Sequence, residues 1–599
     1  MQSVSQAWKD NQNSTLVGES DILISLKMTD PDAYEDASAT DNGSAVFADT
    51  NYIVSDGEKD VTPYATLERN LWLLDGSREV VPDSDYDKVG YVGASLSTNK
   101  GVFAVNPIVT INFSRVHLNL LQGINIKWSE FLNEYATEFT VTAHNGSIDV
   151  NTLTITDNKS VSSSVMMDIS NYDSITIEVL KWSMPHHRAR IDEVYVGADK
   201  VFSKKDIFSY DCSNSVDPIS AELPKSEVAF SIDNLNGAYN PYNEKGLSKY
   251  LMERQEIHVM YGYKLGDSVE WISGGKYYIS EWNAEQNGMS ADFKARDLLE
   301  FMTGTFYKGL YSPGGISLYD LAESVLLDAD LPINSDGTVK WVIDEGLKNI
   351  YTIAPLPVDT HANCLQMIAN AGESVFYQDR DGVLRIERRS VGSQTVSDYA
   401  ITHFNSYSKS DLSLSKPLKQ VDVPCYNYSV ATEKSELFNG VLNINGTTEV
   451  VITYSGAATN VVASLTGGTL NSATYYTNAC VLKITATGNV TIVVKGNSLE
   501  SSSVQISVMN DVSSETGESV SVDNPLITSQ ERAVAVGTWV KTYMSNRKLL
   551  SSDWRADPRL DALDVVNNEN DYGVSKVIMT NVKYTYNGAF RGSGEGRVI

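Results

Sequence analysis

The chain has 599 residues, with 76 Asp and Glu against 47 Lys and Arg, a formal net charge of −29, seven histidines and four cysteines. At roughly 150 residues per domain this length predicts about four domains, each able to bury its own core, and 42% hydrophobic residues exclude a largely disordered chain. The charge works against stable binding to nucleic acid or anionic lipid, both of which draw on clustered Lys and Arg.

The stretch Met1–Asp10 lacks the basic and apolar regions of a signal peptide, and no run of about 18 apolar residues predicts a membrane span. Period-two alternation then dominates. Ile124-Asn-Ile126-Lys-Trp128, Phe139-Thr-Val141-Thr-Ala143 and Ile175-Thr-Ile177-Glu-Val179 read as half-buried antiparallel strands. Turn pairs such as Asp75-Gly76 and Asn145-Gly146 punctuate them, which predicts a sandwich or jelly roll. Further strands are expected over Val228–Ile232, Ile257–Tyr261, Tyr277–Trp282 and Ala291–Ala295, followed by a short helix from Asp297 to Met302.

A mixed α/β segment follows, about 304–396. Ser317 with Asp320 ahead of Leu321, Val325 and Leu326 has the form of a capping box opening a helix. A second helix is expected near Ala362–Ala371, ending at Gly372 as the C′ residue. Val375 to Ile386 reads as a hairpin with its turn at Arg380–Gly382. From Glu436 to Asn510 the composition shifts to Thr, Val, Gly, Ser and Asn with little charge, and predicts a small inserted β-sandwich. The clearest helix spans Ser529 to about Asn546, with Ala533, Val536, Val540 and Tyr543 on one stripe, and strands end the chain.

Motifs for chemistry are sparse. There is no H-E-x-x-H, G-x-S-x-G, Walker-type or dinucleotide-binding glycine pattern, so no enzyme is expected. Paired carboxylates among the 76 acidic residues leave a hydrolase open. Cys212, Cys364, Cys425 and Cys480 form no C-x-x-C pair and read as buried thiols. His361 and Cys364 lie one turn apart, but Cys364 shares its face with Met367 and Ile368 and reads as a core thiol. Asp379-Arg-Asp381-Gly382 begins like a calcium loop but lacks the later ligands, and reads as turn chemistry. His186-His187-Arg188, after Trp182 and Met184-Pro185, is the densest polar and aromatic cluster. It reads either as a sugar-contacting loop or as a loop packing on its own domain or a neighbouring chain.

Four segments then carry a resemblance by their order. They are Phe230-Ser-Ile232-Asp-Asn234-Leu-Asn-Gly237-Ala-Tyr239-Asn-Pro241, Ile257-His-Val259-Met-Tyr261-Gly262, Trp271-Ile-Ser-Gly274-Gly-Lys-Tyr277-Tyr-Ile279-Ser-Glu-Trp282 and Ala291-Asp-Phe293-Lys-Ala295-Arg-Asp297. Together they resemble the first barrel of baseplate-hub or tail-associated proteins at the tail tip of long-tailed bacteriophages. The segment Ala362–Ile386 is similar to the mixed domain of that family. Asn524-Pro525, Arg555-Ala-Asp557-Pro558-Arg559-Leu-Asp561 and Gly588-Ala-Phe590 with Gly596-Arg597-Val598 are similar to its second barrel. The hub-like parts cover about half of the chain.

The resemblance implies a mainly β chain with some α+β. Residues 1–30 and 201–303 would form the first hub barrel, 304–396 the mixed domain, and 397–435 with 511–599 the second barrel with its helix. Residues 31–200 and 436–510 would be insertions, a jelly roll and a small β-sandwich. It implies a structural virion protein at the tail tip, made in the host cytoplasm. This would be a homotrimeric hub that closes the tail tube, contacts the distal tail and tape-measure proteins, and lets DNA pass. Family members often carry a C-terminal lytic or fibre domain; here the chain ends at Ile599 directly after the hub-like ending, so none is assigned.

Leu73-Leu74-Asp75-Gly76-Ser77 and Pro185-His-His-Arg188-Ala-Arg190-Ile191-Asp-Glu-Val194 resemble a discoidin or galactose-binding jelly roll. That resemblance implies recognition of host-surface saccharide, with Trp128, His144, Trp182, His187 and Arg188 as the candidate sugar contacts. It also implies a structural calcium near Asp75, with no other cofactor. A tail-associated cell-wall hydrolase is a third functional class.

Overall fold

A strand that buries one face needs partners at both edges, and this chain finds them from segments far apart in sequence. The computed structural model describes residues 1–28, 33, 36–48, 53–54, 64–65, 68, 80–81, 90–118, 121–129, 132–196, 198–235, 237–240, 242–243, 251, 254–266, 268–285, 288–329, 331, 340–389, 396–510 and 517–599. The protein is mainly β. Its largest sheet has 13 strands and draws on the start, the middle and the end of the chain. Seven strands form one half, in the order Ala198–Ser203, Ser20–Met28, Glu256–Leu265, Ser268–Ala284, Ser290–Arg296, Lys225–Asp233 and Ile207–Ser215. This half curls on itself, because Phe202 on its first strand reaches within 6.4 Å of Phe230 on its sixth.

The other half is built on Gly573–Tyr586, Phe590–Val598, Lys548–Arg555 and Asp411–Leu414, with Val565–Asn570 and Val396–Ile401 branching from it. The halves are continuous. Ile207–Ser215 pairs antiparallel with Gly573–Tyr586, from Tyr210 opposite Tyr586 to Ser215 opposite Asn581. One aromatic core runs through both. Phe230 and Phe293 stack at 5.0 Å, and Tyr261 meets Tyr584 at 6.1 Å and Phe590 at 5.1 Å.

Met28 lies opposite Ala198 in this sheet, so the chain departs and returns at adjacent points. The described residues between them form a two-layer β-sandwich. A five-stranded sheet, centred on Ala136–Asn145 and Tyr172–Trp182, faces two three-stranded sheets. Alternating residues such as Val109, Ile111, Val141, Ile175 and Ile177 meet Ile124, Ile126, Val165 and Val194 in its core.

In the mixed domain, helices Leu318–Asp328 and His361–Ala371 pack on the strands Trp341–Ile343, Leu384–Arg388 and Ser374–Gln378. Ser317 caps the first helix by accepting from the Asp320 N–H at 3.0 Å. At the end of the second, the left-handed residue is Glu373 (φ 54°), while Gly372 sits at φ −94°. Gly372 is required for space instead of conformation, since a Cβ there would lie 2.4 Å from Leu347 Cδ2. The segment expected as a helix at 297–302 is a 3-10 turn, Leu298–Phe301.

Two strands of unusual length, Leu418–Thr453 and Ala479–Met509, form one ribbon. Its base and the helix Gln530–Ser545 are buried in the mixed-domain core, through Leu418, Val421, Val423, Ala533, Val536 and Val540. The far end of the same helix meets the large sheet, where Tyr543 packs with Val565 and Ile578. Beyond the base, the ribbon adds Ala458–Thr466 and Thr469–Tyr475 along Ala479–Met509. This sheet folds over at Gly446, Gly467 and Gly488, all at φ between 93° and 135°, to enclose Ile444, Ile452, Leu482, Ile484, Ile492 and Val494. The small insertion is therefore one folded sheet with two packed halves.

Candidate functional site: the joint between sheet and mixed domain

The loop 555–561 connects Lys548–Arg555 to Val565–Asn570 and lies where both halves of the large sheet meet the mixed domain. A buried loop must satisfy its own backbone, and here five of its carbonyls, those of Arg555 to Pro558 and of Leu560, take side-chain donors. The Tyr399 hydroxyl donates to Arg555 O at 2.9 Å, and Tyr263 donates to Ala556 O at 3.0 Å. Tyr584 donates to Asp557 O at 3.1 Å and to Leu560 O at 2.6 Å. Arg380 donates to Pro558 O at 2.6 Å, to Leu560 O at 2.7 Å, and through Nε to Asp561 Oδ2 at 2.7 Å.

Arg380 comes from the tip of the mixed-domain hairpin, and that turn explains its reach. Asp379 accepts from the N–H groups of Asp381 and Val383, both at 3.0 Å, and Gly382 takes φ 81°. The Asp-Arg-Asp-Gly segment is thus a turn that aims the arginine out of the hairpin and into the joint. Burial opposes the Arg380 charge, but the Asp561 carboxylate and surrounding tyrosines outweigh it and hold the guanidinium well above its usual range. A second buried pair braces the loop. Arg559 grips Asp557 through Nε at 2.9 Å and Nη2 at 2.5 Å, and Trp8 donates to the same carboxylate at 3.3 Å.

A cleft of about 480 Å³ opens beside the joint, lined by residues that include Asn214, Lys276, Asp297, Tyr377, Arg380 and Asp561. Burial pushes the Asp297 carboxyl up to about 7, against the pull of the Leu299 and Glu300 N–H groups. Among the described residues no group of three or more His, Cys, Asp or Glu could hold a metal ion. Arg380, Asp557, Arg559 and Asp561 are engaged by one another, by backbone carbonyls and by Asp398, Asn214 and Trp8. This arrangement fixes three bodies in one orientation.

The candidate sugar contacts lie elsewhere, and the structure gathers Trp128, Trp182 and His187 in the sandwich core, away from solvent, while His144 stands apart. Trp128 and Trp182 are 0% and 1% exposed, edge to face at 6.0 Å in the sandwich core, so neither ring offers a face to a sugar. Their indole N–H groups are used internally, on Ser163 Oγ and Glu134 Oε2, both at 2.7 Å. His187 is also buried, with Nδ1 2.7 Å from Glu134 Oε1. Arg188 is half-buried and donates to the Gly93 carbonyl at 3.1 Å. His144 remains on the sheet surface, between Asp149 at 2.9 Å and Thr176 at 3.0 Å. It stands opposite Ser174 while Trp182 stands opposite Ala136, which separates them by about 26 Å along the strand. Asp75 lies outside the described residues.

His361 and Cys364 share a helix without meeting. His361 Nε2 is 3.0 Å from Asp328 Oδ2, while the Cys364 thiol faces the Pro357 carbonyl at 3.9 Å and is pushed up to about 12 by burial. Sequence reasoning quoted Asp557, Arg559 and Asp561 for the resemblance and assigned Arg380 to a turn. The Arg380–Asp561 pair has no sequence signal, because its members are 181 residues apart.

No family model and no curated protein matches this sequence. Among solved structures, the chain is similar to the 43 kDa tail protein of prophage MuSo2 from Shewanella oneidensis (10% identity, TM-score 0.37, 67% of this chain and 95% of that one). It is also similar to a tail protein from Neisseria meningitidis MC58 (8% identity, TM-score 0.38, 66% and 93%). A third is the E. coli c3393 protein, a component of the type VI secretion system with structural similarity to bacteriophage tail proteins (7% identity, TM-score 0.30, 66% and 74%). Two of these three are tail proteins and the third is a secretion-system component. At these identities and scores they are likenesses, and the functional reading rests on the chain's own sequence and geometry.

Proposed function

We propose that this chain is a structural protein of a bacteriophage virion, a tail-tip hub that works by assembly rather than catalysis. The observation that carries this is the continuous 13-stranded sheet, which is locked to the mixed domain through Arg380. A part that transmits force between neighbours needs rigid internal joints, and in this joint buried donors from three segments converge on the loop 555–561. The order of hub-like segments along the sequence supports the same reading. In it, three copies form a ring that closes the tail tube, contacts the distal tail and tape-measure proteins, and opens for DNA. The inserted sandwich, a jelly roll in this reading, decorates the outside. The charge of −29 suits a wall along which DNA passes without sticking.

The test is the mass of the full chain in solution and its image by electron microscopy. Particles of three times 65.8 kDa with a central hole are expected. A chain that stays monomeric across the accessible concentration range refutes the hub.

A further inference from the structure

The folded sheet at the end of the ribbon has two long edges that pair with no further strand among the described residues. Among the described residues, the strand Leu418–Thr453 pairs on one side with Ala479–Met509 and on the other with Glu518–Ser521 only up to Asp422. Ala458–Thr466 and Thr469–Tyr475 pair with Ala479–Met509 and with no other strand. Unpaired edges are templates for pairing with another chain, and they are ordinarily blunted with lysine, proline or short length. These are not. From Leu437 to Val494 the sequence carries Glu449 and Lys483 as its charged residues and no proline. Exposed β-branched side chains stand along both edges: Val441 and Val451 on one strand, Val462 on the other.

We infer that these two edges are a contact between copies of this chain, the outer edge of residues 437–453 in one copy pairing with the outer edge of residues 458–475 in the next. Charge selects the occupant. Two copies each carrying −29 repel wherever acidic surfaces meet, whereas residues 437–494 sum to zero, one Glu against one Lys. A basic partner would gain by docking on acidic surface instead. Strand direction selects the mode. Both edge strands run antiparallel to Ala479–Met509 and hence parallel to each other. A rotation about one axis therefore brings unlike edges together with strands parallel, a head-to-tail contact that closes into a ring when the rotation closes. The contact also has a fixed platform. Asn478 donates to the buried Leu356 carbonyl at 2.6 Å and the Thr477 N–H to Lys308 O at 3.1 Å, which ties the folded sheet to the mixed domain.

This contact is separate from any contact the large sheet makes, and the experiment keeps them apart. Analytical ultracentrifugation of the full chain is combined with hydrogen exchange. Two double variants place lysines on one edge each, Val441→Lys with Val451→Lys and Val462→Lys with Ser472→Lys, all at exposed positions. The parent is expected to associate, with slow exchange at 437–453 and 458–475. Each double variant alone is expected to raise the concentration of half-dissociation by about tenfold or more and to release that protection. An associating parent whose variants dissociate at the same concentration, with both edges exchanging freely, overturns the edge contact and leaves the hub standing. A parent that is monomeric up to about 0.1 mM overturns both.

Discussion

Truncating Arg380 is the most direct test of the joint. The guanidinium is 9% exposed and supplies donors to Asp561, Pro558 O and Leu560 O. Removing one partner of a buried ion pair costs about 3–5 kcal/mol. Asp561 keeps 28% exposure, so the carboxylate left behind is partly solvated and the lower figure, about 3 kcal/mol, applies. Leu560 O retains Tyr584, but Pro558 O loses its strong donor, which adds about 1–2 kcal/mol. Arg380→Ala should therefore destabilise the joint by about 4–5 kcal/mol. In a multidomain chain this falls on one transition, shifting it by roughly 8–20 °C at about 2–4 °C per kcal/mol. Scanning calorimetry reads the shift, and hydrogen exchange of residues 557–564 locates it. Arg380→Lys should fall between, since an ammonium restores charge without the planar fork. If Arg380→Ala melts within about 1 °C of the parent with unchanged exchange at 557–564, the reasoning is refuted.

Asp297 gives a pH signature. Its folded value of about 7 lies above the ordinary 3.8, so the folded state holds its proton longer, and stability falls as pH rises from about 4 to about 7, by up to about 4 kcal/mol. Asp297→Asn should flatten that slope in melting temperatures recorded across the range, and an unchanged slope contradicts the assignment. Trp128→Ala and Trp182→Ala should each cost about 3–5 kcal/mol of sandwich stability, while His144→Ala stays within about 1 kcal/mol, as seen by thermal melting. Equal effects from all three would contradict the core placement. Gly467→Ala should loosen the folded ribbon without moving the transition of the large sheet, because a Cβ there would lie 2.6 Å from Asn489 O at φ 93°. Exchange confined to residues 437–494 is the readout. Cys364 should resist thiol reagents at pH 8 in the native protein, and labelling as fast as in denaturant would contradict its burial.

Elements whose cause is local were legible in the sequence. The alternation at 139–143 and 175–179 became adjacent strands, and the Ser317 cap and the Ala533–Tyr543 stripe became helices as expected. The limits appeared where neighbours decide. Gly372 looked like a left-handed cap and is a clearance for Leu347. Trp128 and Trp182 looked like sugar platforms because aromatic type says nothing about which face of a strand is covered. The helix stripe predicted burial but not the split between its partners, the mixed-domain core for Ala533, Val536 and Val540 and the large sheet for Tyr543, since an apolar stripe specifies no particular surface.

By itself the sequence determined an acidic, mainly β chain with a few capped, amphipathic helices, because composition, periodicity and caps act within a few residues. Only the tertiary structure decided that the two sheet halves are one, that the ribbon's base belongs to the mixed domain, and that Arg380 ties both to the loop 555–561. Those outcomes rest on hydrogen-bond partners and buried surfaces supplied by segments hundreds of residues apart, and no local pattern encodes which distant edge or carbonyl a given donor will meet.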